Sequence, residues 1–125
     1  MARGSLCIAQ VGVPLHSLLR HMHRMIITLL LGDRSINEKL CILIVDDNRI
    51  MAKILQDIFR VKGHEAEVAH SGSEALGKLE RSCFNCVLSD IKMPDIDGID
   101  LYKAIKTHQP DLPVVLMTAY NADKL

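Results

Sequence analysis

Cys41-Ile42-Leu43-Ile44-Val45-Asp46-Asp47-Asn48 is the stretch whose reading decides the fold. Five apolar residues follow one another without a polar break, the pattern of a strand buried on both faces rather than one. Two acids and an amide close the run, and Asn48 is a good helix cap. Beyond it Ile50, Ile54, Ile58 and Val61 recur at helical spacing, with Met51, Leu55 and Phe59 widening the stripe and Gly63 as a stop. The same strand-then-helix unit repeats downstream. Glu65 to His70 reads as a shorter strand, and Ser73 as the cap of a helix carrying Ala75, Leu76 and Leu79. Phe84 to Ser89 is a third strand, ending at Asp90; Ile91 to Gly98 is a loop. Ile99 to His108 is a helix halted by Pro110, Leu112 to Met117 is a strand ending at Thr118, and Asn121 to Leu125 opens another helix.

Strands separated by helices imply a parallel sheet with right-handed crossovers. Ligands of such sheets bind beyond the carboxyl ends of the strands. The residues expected there are Asp46 and Asp47, Asp90 and Thr118. Three converging carboxylates repel one another, so at least one should hold its proton more tightly than usual. A hard divalent cation such as Mg²⁺ relieves that conflict and keeps room for phosphate oxygens. One carboxylate is then free to act as a nucleophile toward a phosphoryl group, giving an acyl phosphate, with the Thr118 hydroxyl placed to hydrogen-bond a phosphoryl oxygen.

Taken in order, Ile-Leu-Ile-Val-Asp46-Asp47-Asn48, Leu-Ser-Asp90-Ile-Lys92-Met-Pro94-Asp-Ile-Asp-Gly98 and Val-Leu-Met-Thr118-Ala119-Tyr120 resemble the receiver domain of two-component response regulators, from about Cys41 to the end of the chain. The resemblance implies an α/β, flavodoxin-like doubly wound parallel sheet of strand order 2-1-3-4-5. It implies that Asp90 is the phosphoacceptor, that Asp47 is a direct Mg²⁺ ligand, and that Asp46 acts through metal-bound water. Lys92 would give its backbone carbonyl to the metal, while its side chain and that of Tyr120 tune phosphoryl lifetime. Thr118 would be the switch hydroxyl, Ala119 the small neighbour that leaves access, and Pro94 and Gly98 the residues shaping the loop. The implied partners are a histidine kinase or phosphotransfer protein and an output domain, with no direct nucleic-acid binding by this segment and no membrane span. The implied chemistry is self-modification, not enzymatic turnover, in the cytoplasm.

In one respect the chain departs from that pattern. The family places a lysine at the end of a fifth strand, and here only seven residues follow Thr118, with Lys124 too early to match. A helix, a strand and a final helix, roughly 35–40 residues, are expected to be lacking, leaving the 112–117 strand as an open edge. The alternative is therefore a receiver-like interaction module, or gene fragment, that does not signal. A phosphatase of the haloacid dehalogenase type needs a second Asp where Lys92 stands. Dinucleotide binding needs a Gly-rich turn where Asp46-Asp47-Asn48 stands.

Composition is consistent with one globular domain: 125 residues, 49% hydrophobic and 24% charged. Fifteen basic and fifteen acidic side chains balance, which argues against a dedicated nucleic-acid binder. The balance conceals a slightly basic segment 1–38 before a slightly acidic 39–125, the expected domain boundary. Within the first segment, residues 14–32 form an amphipathic pattern, with Leu15, Leu18, Leu19, Met22, Ile26, Leu29 and Leu30 on one side. Its readings are a linker helix, translated upstream sequence (Met22 and Met25 offer later starts), or a surface for a membrane or partner. Cys83 and Cys86 form a C-x-x-C with no second pair for zinc, and all four cysteines read as reduced, structural thiols. The histidines, and Lys53, Lys78, Lys103 and Lys106, are expected at the surface.

Overall fold

The computed structural model describes residues 6–10 and 39–118. Its elements are β1 (Leu6–Gln10), β2 (Cys41–Val45), α1 (Arg49–Val61), β3 (Glu65–Ala69), α2 (Gly72–Arg81), β4 (Cys86–Asp90), α3 (Gly98–His108) and β5 (Val114–Thr118). All pairings are parallel, and the sheet order is β1-β5-β4-β2-β3. The four strands read from the sequence thus lie in the expected order.

Alternation along the strands builds two cores. Ile42 and Ile44 of β2, Leu88 of β4, and Val115 and Met117 of β5 share one face with Ala52, Leu55 and Phe59 of α1. Leu43, Val45, Val87, Val114 and Leu116 share the other with Ala75 and Leu79 of α2, and Leu101 and Ile105 of α3. Both faces are covered, which is why β2 carries no polar residue before Asp46. Chain order reverses at β2, whose neighbours are β3 and β4, so a crevice opens beyond the carboxyl ends of β2 and β4.

The helix boundaries show which local signals prevail. Asn48 caps α1, its side chain accepting from Ile50 and Met51 N–H, and Gly63 takes φ 94° just past the end. The buried stripe of α1 is Ala52, Leu55 and Phe59; Ile50 and Val61 are 75% and 87% exposed. At 100° per residue these two lie roughly 120–140° around the helix from Leu55, so the stripe is turned relative to the one read from the isoleucines. Ser71, not Ser73, caps α2: its hydroxyl accepts from Glu74 N–H, while the Glu74 carboxylate accepts from His70 N–H. The Ser-x-x-Glu spacing selects Ser71, and Ser73 is left to donate to Asp95 Oδ2 at 2.6 Å.

Further expectations change. β5 is not an open edge, because β1 pairs with it along its whole length, Leu6 opposite Val114 through Gln10 opposite Thr118. Part of the 1–38 segment therefore belongs to the sheet; the amphipathic stretch 14–32 lies outside the described residues. His64 is buried and accepts the Leu40 N–H on Nδ1. Lys106 is half-buried, donating to the Leu112 and Pro110 carbonyls. The C-x-x-C thiols are free, Cys86 within β4 and Cys83 exposed. Burial pushes the Cys86 thiol up to about 12, so it packs as a small apolar group rather than reacting as a thiolate.

Candidate functional site

The site is assembled by strand ends. Asp46 directly follows β2 and is 4% exposed; its N–H continues the ladder to Ala69 O at 3.0 Å. Its Oδ1 accepts the Asn48 N–H at 2.9 Å, closing an Asx turn that carries the chain into α1. The turn leaves Asp47 exposed at the mouth of the crevice. Asp90 is the last residue of β4, half-buried, and Ile91 N–H bonds Met117 O of β5 at 2.9 Å. These three carboxylates present oxygens that lie within 4.8 Å of one another. The sequence-predicted acids are brought together at the crevice beyond β2 and β4.

Electrostatics follow from that crowding. The Asp90 carboxyl is raised to about 6, first by burial, then by the negative charge of Asp46 and Asp47; N–H donors from Lys92 and Ile91 oppose the rise. Burial also raises Asp46, opposed by the Asn48 N–H and by His70. His70 Nδ1 lies 3.2 Å from Asp46 O. An all-oxygen donor set in which carboxylates repel one another fits a hard divalent cation, whose charge removes the conflict that burial alone intensifies.

The loop after Asp90 is held by backbone contacts. Gly98 N–H bonds Ile91 O at 2.8 Å. A Cβ at Gly98 would stand 2.4 Å from Asp90 O, so no larger residue allows this close return. Between them Asp95 adopts φ 73°, and its carboxylate is tied to Ser73 at the start of α2. Lys92 and Pro94 are exposed on this loop. Thr118 ends β5, so its backbone is at the same sheet edge as Asp90. Ala119 and Tyr120 lie outside the described residues. The reading of single residues missed the Asn48–Asp46 link and the Ser73–Asp95 bond. The spacing of Asp46 to Asn48 signals the first; nothing in the sequence signals the second.

The profile of the response regulator receiver domain family matches residues 42–125. Over 85 residues the chain is 42% identical to the transcriptional regulatory protein ZraR of Klebsiella oxytoca, covering 68% of this chain and 19% of that protein. Over 81 residues it is 43% identical to the response regulator protein FleR of Pseudomonas aeruginosa, covering 65% and 17%. The chain thus spans about a fifth of the length of these relatives. Among solved structures, the response regulator TrrA of Thermotoga maritima, in complex with Mg²⁺ and BeF, is 33% identical with TM-score 0.64, covering 67% of this chain and 72% of that one. Chemotaxis protein CheY4 of Vibrio cholerae is 26% identical with TM-score 0.65, covering 70% and 74%. Sheet order, acidic crevice and sequence matches agree, and the chain belongs to the response regulator receiver domain family.

Proposed function

We propose that this chain is the phosphoacceptor module of a two-component phosphorelay, with Asp90 accepting the phosphoryl group. The observation that carries this reading is the convergence of the Asp46, Asp47 and Asp90 carboxylates within 4.8 Å at the sheet edge of a receiver-family chain. Asp46, Asp47, Asp90 and the Lys92 backbone carbonyl would hold Mg²⁺. When bound, the ion supplies positive charge that keeps the carboxylates ionised and attracts phosphoryl oxygens. An Asp90 oxygen attacks the phosphorus of a phosphohistidine on a histidine kinase or phosphotransfer protein. The new O–P bond forms as the P–N bond breaks, and the imidazole leaves with that electron pair and takes a proton from solvent.

The Thr118 hydroxyl then donates to a phosphoryl oxygen, Ala119 leaves room for access, and the side chains of Lys92 and Tyr120 set how readily water reaches the acyl phosphate. Pro94 and Gly98 shape the loop that carries Lys92. The phosphorylated state acts on an output domain or partner; the relative ZraR is named a transcriptional regulatory protein, and any contact with nucleic acid is assigned to an output domain and not to this segment. Among the described residues no helix is long and apolar enough to cross a membrane; the proposed site of action is the cytoplasm. The test is incubation with acetyl phosphate. Magnesium-dependent incorporation of hydroxylamine-labile phosphate, lost with EDTA and in Asp90→Asn, is expected; equal labelling of Asp90→Asn overturns the assignment.

A further inference from the structure

Residues 6–10 lie outside the stretch matched to the receiver family, 42–125, yet they form the strand beside β5. The hydrogen bonds on the other side of β5 show what this strand meets. Pro113 O and Met117 O accept from Val87 and Ile91 N–H of β4, at 3.0 and 2.9 Å. Backbone groups of successive strand residues point to opposite edges. Pro113, Val115 and Met117 therefore serve β4, while Val114, Leu116 and Thr118 turn their N–H and C=O to the opposite edge, where β1 lies. Those groups belong to a strand whose Val114, Val115 and Leu116 are fully buried, so leaving them unpaired is costly. Leu6-Cys7-Ile8-Ala9-Gln10 is uncharged and mostly apolar, as a parallel sheet requires. Its last residue, Gln10, registers with Thr118, at the sheet edge that carries Asp90.

We propose that Leu6–Gln10 is a docked closing strand and a working part of the phosphoacceptor site. By taking up the outward backbone groups of Leu116 and Thr118, it fixes the end of β5 and hence residue 118 relative to Asp90. The β5 edge is a docking surface for an extended, uncharged segment running parallel, and its occupant is the chain's own N-terminal strand. The consequence for phosphoryl chemistry rests on the function proposed above; the docking itself does not.

Amide hydrogen exchange on the full chain tests the docking. Leu116 and Thr118 amides should be protected alongside Val115 and Met117, independently of protein concentration. Proline at Cys7, Ile8 and Ala9 in turn should alternate in effect. One parity removes an N–H that bonds β5, the other an N–H that points outward. The first should speed exchange of Leu116 and Thr118 by at least about 10-fold while Val115 and Met117, held by β4, stay protected. Free exchange of Leu116 and Thr118 in the parent chain overturns the proposal, as does an identical pattern in all three proline variants. Protection that rises with concentration overturns it in favour of a strand from a second copy. In a docking-deficient variant that keeps Val115 and Met117 protected, acyl-phosphate lifetime should change several-fold; an unchanged lifetime refutes the role in the site. If the parent chain takes no phosphate, the function reading has failed while the exchange pattern still decides the docking.

Discussion

Asp90 and Gly98 are the two residues whose environments are most constrained by the site. Asp90 is half-buried beside two further acids, and its neutral form is favoured up to about pH 6. Gly98 allows the chain to return within reach of the Asp90 carbonyl, where a Cβ would stand 2.4 Å away. Gly98→Ala must therefore displace backbone, and we expect it to destabilise the fold by about 2–4 kcal/mol in urea titration and to weaken Mg²⁺ binding. Stability and metal affinity both equal to the parent would show that the loop is not pinned at this point. The acids were legible in the sequence because they stand at the ends of strand-like segments, Asp46 and Asp47 after Val45 and Asp90 after Ser89. The Ser73–Asp95 bond was not, because residues 22 positions apart meet only through the fold.

At the scale of elements, the caps did the most to fix boundaries. Asn48 accepts two N–H groups at the start of α1 and in turn donates its own N–H to Asp46. Asn48→Ala should cost about 1 kcal/mol of stability, seen as a lower denaturation midpoint, and should loosen Asp46. Ser71→Ala should cost a similar amount and Ser73→Ala less, which would confirm Ser71 as the cap of α2; the reverse order would contradict the boundary. Strands and helices between 41 and 118 were readable because the inner strands are buried on both faces and each helix is bounded by a cap or a stop. The phase of α1 was not, because its isoleucines outweigh the small Ala52, which is fully buried beside Leu55 and Phe59. β1 escaped notice as well, although its short apolar run sits between Gly4 and Gly12; periodicity cannot announce which edge a distant segment will join.

For the whole molecule, charge and stability are linked through the acidic crevice. Asp90 binds its proton more tightly in the folded chain than at its ordinary value of 3.8, and Asp46 shifts in the same direction. The Asp90 contribution is fully present below about pH 4 and is lost as pH rises through about 6, and that of Asp46 declines in the same direction. Buried His64, with its ring lowered by burial, acts oppositely, losing stability as pH falls below its ordinary range. The Asp90 part is therefore read as a difference: in EDTA, the Tm advantage of Asp90→Asn over the parent should grow from about pH 4 to about pH 7, and Mg²⁺ should reduce it. A difference independent of pH and of Mg²⁺ would place the strain elsewhere. The central claim, that Asp90 carries the phosphoryl group, is tested most directly by locating it. After reaction with acetyl phosphate and Mg²⁺, borohydride reduces an aspartyl phosphate to homoserine, which peptide mass mapping assigns to a residue. Homoserine at position 90 alone is the predicted result; modification at Asp46, Asp47 or any other residue, with position 90 intact, would contradict it.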